Sequence, residues 1–408
     1  MLFKIMAKKA NPIHDLHGAG KLTVDAIKGI VDLVESVHYS ILSLGGILGN
    51  NSEKKTKGIA GLVYRNIRTT SELVGKGLNA LAEKLVPVVE EKESTPGREA
   101  ALAVLNGVLG DYLEETKNPL AIPMHLRIDG KSIIHFNDPL FQELIRRFQG
   151  KIVLLIHGSC MNDLQWNRAG HDHGKAIEQD LGYLPLYLHY NSGRHISQNG
   201  NDFAKLMEAL NSQMGDKLTF NIIAHSMGGL VARSAVYYAK TEKQAWVGNL
   251  EKMIFLGTPH HGSPLERAGN WIDNVLEKNP YSKSFSRLGK IRSAGVTDLR
   301  YGNVVDEDWQ GRDRFESAGD LRVPVPLPAD VACFTIGATT DFVSDRLAAN
   351  LIGDGLVPLN SALGKHKNPD LNLSFPESHQ WIGRKMSHLD LLNHPYVYKV
   401  IKNWISEA

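Results

Sequence analysis

The chain has 408 residues, room for two or three domains of ~100–200 residues or one large enzyme fold with an appendage. Lys and Arg number 46 against 44 Asp and Glu, a formal net charge of +2, so no one-signed field exists to attract nucleic acid. Hydrophobic residues at 42% and charged residues at 22% exclude a disordered chain. Two cysteines, Cys160 and Cys333, cannot form a disulfide framework and suit a reducing compartment.

The amino terminus has basic residues but no continuous apolar core or small-residue cleavage site, which leads to an expectation of a cytoplasmic protein. Residues 40–48, SILSLGGIL, fall far short of the ~20 apolar residues that span a bilayer. From Leu22 to Leu113 the period is helical. Apolar side chains recur at Ile27, Ile30, Val34, Val37, Ile41, Leu44 and Leu48, then at Val63, Ile67, Val74, Leu81 and Leu85, then at Leu102, Leu105, Leu109 and Tyr112. Steps of three and four place each set on one stripe. Gly45-Gly46 and Pro87 help to break the sets apart. The expectation is an N-terminal helical extension over residues 1–118, whose stripes pack against each other or against the following domain, or lie on a lipid surface, a peripheral contact with a membrane.

After Pro119 the pattern changes. Lys151–Ile156, Tyr183–Tyr190 and Leu218–Ala224 are apolar runs suited to strands buried on both faces. Helical segments follow two of them, at Asp202–Gln213 and Met227–Ala239, with further strands at Lys252–Leu256 and Val331–Ile336 and a closing helix from about His388 to Ile405. Alternating strands and helices predict an α/β domain over 119–408, a mostly parallel sheet with helices on both faces. Chemistry in such sheets gathers beyond the carboxyl ends of the strands.

One strand runs directly into His225-Ser226-Met227-Gly228-Gly229 and then a helix. This is the grammar of a nucleophile elbow, with small residues, Ala224 and Gly228, flanking the serine where strand and helix backbones pass close together. A serine needs a base to take its proton, and the base needs an acid to fix its tautomer. The order serine, acid, histidine is met by Asp354, set in the turn Gly353-Asp354-Gly355, and by His388 in Ser387-His388-Leu389. Asp341 is the rival acid, and Asp354 is preferred because its glycines permit an irregular turn. His394 and His379 are poorer bases, the first inside the expected helix and the second in a loop without a motif. The oxyanion donors are expected to be the amide of Met227, after the nucleophile, and that of Ser159, after Gly158. Cys160 reads as packing and His157 as an organiser of its own loop. His171-Asp172-His173 lacks the further ligands a metal site requires.

The motifs VLLIHGS (153–159), AHSMGGLVAR (224–233), LGTPHHGSPL (256–265), GDGLVPLNSAL (353–363) and SHLDLLNH (387–394) resemble those of bacterial lipases and PGAP1-like esterases of the α/β-hydrolase superfamily. The resemblance covers Lys151 to the carboxyl terminus and implies the same triad and oxyanion residues. It implies a serine carboxylic-ester hydrolase, a lipase or esterase acting without a cofactor on small-molecule or lipid-like acyl esters. In similar lipases that hold calcium, one ligand is an aspartate two residues after the catalytic histidine. Asp390 matches that position, and no second carboxylate is identified here. About 70 residues separate Ser263 from Val331, where similar lipases carry a lid, so 263–330 is expected to be a lid-like insertion opening with an amphipathic stretch at Leu265–Leu276. Two alternatives stand beside hydrolysis: an acyltransferase using the same acyl-enzyme, and a non-catalytic protein that binds lipid or granule surfaces.

Overall fold

The computed structural model describes residues 96–214, 218–263, 292–314, 319–340 and 353–407. The first two expected helical segments, the stretch at 265–276 and the rival acid Asp341 lie outside the described residues.

Eight strands form one sheet in the order β2-β1-β4-β3-β5-β6-β7-β8. They are β1 (His125–Ile128), β2 (Lys131–Ser132), β3 (Lys151–Ile156), β4 (Leu184–His189), β5 (Thr219–His225), β6 (Leu250–Leu256), β7 (Ala332–Thr339) and β8 (Gln380–Arg384). β3 to β8 are parallel, and β1 is antiparallel to both β2 and β4. This is the α/β-hydrolase arrangement expected from the sequence, with all five strands read there in place.

Successive side chains on a strand face opposite ways, and the central strands divide between two apolar layers on that rule. Ile152, Leu154 and Ile156 enter one core with Ile222 and Phe255. Val153 and Leu155 enter the other with Ile223, Ile254 and Ile336. Burial on both faces explains why these strands read as unbroken apolar runs rather than alternating ones.

The first layer is closed by helices α1 (Pro96–Glu115), α4 (Ile196–Met214) and α5 (Met227–Thr241). The second is closed by α3 (His173–Leu181) and α8 (Pro395–Ser406), which contribute Ile177 and Val397, Ile401 and Trp404. α2 (Pro139–Arg147) lies ahead of β3; two short helices, α6 (Ala294–Asp298) and α7 (Leu359–Ala362), sit in the loops around β7. No described helix is long and apolar enough to cross a membrane.

α1, the third helix of the expected N-terminal extension, packs against the following domain, within the sheet's own core, where Leu105, Val108 and Leu113 are fully buried. Of its predicted stripe, Leu102 and Leu105 are buried and Leu109 and Tyr112 half-buried, while Val104, Val108, Ala100, Ala101 and Ala103 are buried as well, so the helix is covered on more than one face. The closing helix begins at Pro395, with His394 as its cap, and not at His388. Proline suits the first turn of a helix, where its missing N–H costs nothing, and it disfavours helical backbone at the residue before it. His388 is thereby left on a loop, free of helical constraint.

Candidate active site

Ser226 stands between β5 and α5 with φ 55° and ψ −128°, a left-handed backbone that a non-glycine residue adopts only when its surroundings impose it. The surroundings are explicit. The Ser226 amide donates to the Leu256 carbonyl at 2.9 Å, and the Ser226 carbonyl accepts from the Gly229 amide at 3.0 Å. Gly228 passes so close to β3 that a Cβ there would fall 2.5 Å from the Ile156 carbonyl oxygen and 2.6 Å from that of His157. The small residue required by the motif is required by this contact.

Asp354 is fully buried. Its Oδ1 accepts from the amides of Leu356 at 3.0 Å and Val357 at 2.8 Å, and its Oδ2 accepts from His388 Nδ1 at 2.7 Å. The His388 amide also donates to the Asp354 carbonyl at 3.1 Å. Gly353 makes the turn with φ 54°, and a Cβ there would collide with the Val357 carbonyl. The glycine beside the acid therefore has a steric reason.

The His388 ring is brought to the elbow by two contacts. It lies against Gly257, where a Cβ would be 3.0 Å from Cε1 and Nδ1, next to the Leu256 carbonyl that holds Ser226. Its centroid is also 4.6 Å from that of His225, the residue before the nucleophile. Asp354 and His388 are thus bonded to each other, and the His388 ring lies beside His225 and Gly257, next to the elbow that carries Ser226, from motifs up to 162 residues apart in sequence. The Nδ1 bond to Asp354 fixes the tautomer in which Nε2 is the basic atom.

Gly158 leads from β3 past the serine: a Cβ on it would be 3.0 Å from Ser226 Cβ. The next amide is that of Ser159, and across the serine stands that of Met227, the first residue of α5. The first amides of a helix have no partner within it, so the Met227 N–H is available to a developing anion. Behind this loop His157 Nδ1 donates to the Gly158 carbonyl at 2.9 Å, the Tyr190 hydroxyl donates to the His157 carbonyl at 2.9 Å, and the two rings stack 4.4 Å apart. Burial pushes the His157 imidazole down to about 3, so it remains a neutral strut. Burial likewise pushes the Cys160 thiol up to about 11, which leaves no thiolate for nucleophilic chemistry at neutral pH.

Asp390, the calcium position suggested by resemblance, has another employment. Its Oδ2 accepts from both the amide and the hydroxyl of Ser387 at 2.7 Å, closing the turn that presents His388. Among the described residues no group of three or more His, Cys, Asp or Glu could hold a metal ion. His173 donates through Nε2 to the Leu391 carbonyl at 2.9 Å and accepts through Nδ1 from His171 at 2.8 Å, a chain of hydrogen bonds behind the His388 loop.

Two features of the site went unread in the sequence. His225 Nε2 donates to the His388 carbonyl at 3.1 Å, tying the base's loop to the elbow; burial and the neighbouring His388 hold its imidazole well below the usual histidine range, hence neutral. Its position inside the elbow motif was the available signal. The second is a half-buried charge group, Arg127 with Glu99 and Asp163, at the loop that follows β3. Its members lie on separate elements with no spacing to mark them.

Among solved structures, a mature-form lipase of Bacillus licheniformis is 14% identical, with a TM-score of 0.41, 70% of this chain and 98% of that one being covered. Lipase 1 of Pelosinus fermentans is 12% identical, with a TM-score of 0.38, covering 64% of this chain and 99% of that one. A lipase-esterase related protein of Clostridium acetobutylicum is 13% identical, with a TM-score of 0.36 and coverage of 69% and 98%. No curated protein matches the sequence. Residues 147–365, more than half of the chain, match the family described as the PGAP1-like alpha/beta domain, and the chain belongs to that family.

Proposed function

We propose that the protein is a serine carboxylic-ester hydrolase, with Ser226 as nucleophile, His388 as general base and acid, Asp354 as the acid that orients it, and the amides of Ser159 and Met227 as oxyanion donors. The observation that carries this reading is the 2.7 Å bond from His388 Nδ1 to a fully buried Asp354, placed beside a serine at a left-handed elbow. Ser226 Oγ attacks the ester carbonyl as His388 Nε2 takes its proton, and the charge on the carbonyl oxygen falls to the two amides. Collapse of the tetrahedral adduct expels the alcohol, which receives the proton from His388. Water, deprotonated by the same imidazole, then releases the acid and restores the serine. Every proton is accounted for by His388, and no cofactor is required. The substrate we assign is an apolar acyl ester, soluble or lipid-like.

The test is hydrolysis of p-nitrophenyl esters of graded acyl length by the full chain and by Ser226→Ala. The reading expects turnover by the first, and by the second a loss of about 10⁴-fold or more with an unchanged circular dichroism spectrum. Turnover retained by a folded Ser226→Ala contradicts it.

A further inference from the structure

Resting on the hydrolase reading above, we propose that helix α1, which lies outside the family-matched residues 147–365, is a positioning element of the oxyanion loop, with Gly107 as its point of contact. An oxyanion donor works only when held within tenths of an ångström of where charge develops, and a donor on a loop needs a rigid support behind it. The loop 157–163 finds that support in α1 at two places.

The first place is Cys160, the residue after the Ser159 donor. Its φ is 59°, so its backbone is constrained from outside. Gly107 lies against it. A Cβ at Gly107 would fall 2.8 Å from Cys160 Cα and 3.0 Å from its nitrogen, and would strike Sγ. Glycine inside a helix is a cost accepted here for a close approach. The Cys160 amide donates to Ser192 Oγ at 3.1 Å, and the loop carrying Ser192 is itself bound to α1: Asn191 Nδ2 donates to the Gly110 carbonyl at 2.9 Å. Helix, β4–α4 loop and oxyanion loop thus meet in one three-way junction.

The second place is Asp163, at the far end of the same loop. Arg127 Nη1 lies 2.9 Å from Asp163 Oδ1 and 3.0 Å from Glu99 Oε2 on the first turn of α1. His189 Nδ1 lies 3.2 Å from the same Asp163 oxygen. The loop is held by one helix at its middle, through a backbone contact, and at its far end, through a half-buried charge group bridged by Arg127. A helix that served only to fill the core would need neither the glycine nor the shared arginine.

The experiment uses the full chain and two readouts, kcat and KM on a soluble p-nitrophenyl ester and the rate of labelling by a fluorophosphonate, which also builds charge in the oxyanion hole. Gly107→Ala is expected to lower kcat and labelling about tenfold or more with KM within about twofold, the mark of a lost transition-state interaction. Adding Cys160→Gly, which removes the struck sulfur and lets the left-handed backbone shift away from the close contact at Cα, is expected to restore part of both; a purely structural lesion would instead add to the first. Wild-type kcat in a folded Gly107→Ala, or additive loss in the double variant, overturns the proposal. If Gly107→Ala does not fold, Glu99→Gln takes its place, with a kcat loss of about three- to tenfold expected and an unchanged kcat overturning the proposal. Absence of labelling in the unsubstituted chain is a different result: it defeats the hydrolase reading itself.

Discussion

On the acid–base flank of Ser226, Asp354 and His388 are held by bonds to nearby backbone: the amides of Leu356 and Val357, and the Ser387 turn closed by Asp390. On the oxyanion flank, the loop 157–163 is held by residues far away in sequence, Gly107, Ser192, and Arg127 with Glu99. The first flank is a pair of turns, each legible as a short motif, joined by the Asp354–His388 bond and tied to the elbow by His225. The second exists only after the sheet and α1 have assembled. The proposed mechanism needs both, so under it the flank without a motif is as much a part of the site as the flank with one.

Breaking the first flank carries the largest expected effect. Asp354→Asn keeps the shape of the acid but offers an N–H where His388 needs an acceptor, and kcat is expected to fall by about 10³–10⁴-fold with little change in the thermal midpoint, measured by ester turnover and calorimetry on one preparation. Breaking the second flank costs stability as well as rate. Asp163→Ala leaves the half-buried Arg127 beside Glu99 without its second carboxylate, and a loss of about 1–3 kcal/mol is expected from urea unfolding. A change near the generic ~0.5 kcal/mol of a surface substitution would show the charge group to be dispensable.

The junction of the two flanks gives a comparable effect. Gly228→Ala places a methyl against the Ile156 and His157 carbonyls, and overpacking of this kind costs about 1–3 kcal/mol, read from the urea midpoint. The smallest effect is titration. Burial alone raises a carboxyl pKa, yet the close contact with His189 and the charge of Arg127 prevail and hold Asp163 down at about 2. A carboxyl depressed on folding stabilises the protein above its unfolded pKa near 4 and loses that contribution as pH falls toward 2. The unsubstituted chain is expected to lose about 2 kcal/mol of its stability to this group between pH 4 and pH 2. Asp163→Asn, compared over the same range, should lack that component; identical acid profiles would contradict the assignment.

The same contrast explains what the sequence disclosed. Strands β3 to β7 were legible because burial on both faces makes them continuous apolar runs, and the elbow was legible because Ala224 and Gly228 answer a local steric demand. β8, with the sequence QWIGR, is half-exposed at the sheet edge and carries no such run. β1 and β2 are only four and two residues long. The start of the last helix was misplaced because an apolar period continues through Leu391 and Leu392, which pack in the core from a 3-10 turn; Pro395 was the stronger signal. The stripe on α1 was half right, Leu102 and Leu105 being buried and Leu109 and Tyr112 only half-buried; Gly107 and Gly110 make close contacts on its other side, and small residues leave no period to read. His225 was passed over because its neighbour accounted for the motif.

The most direct measurement is the mass of the protein and of its peptides after reaction with a fluorophosphonate. The account predicts one adduct per chain, carried by the peptide that contains Ser226, absent in Ser226→Ala and formed far more slowly in His388→Ala. An adduct on a different serine, or none on a folded chain, contradicts it.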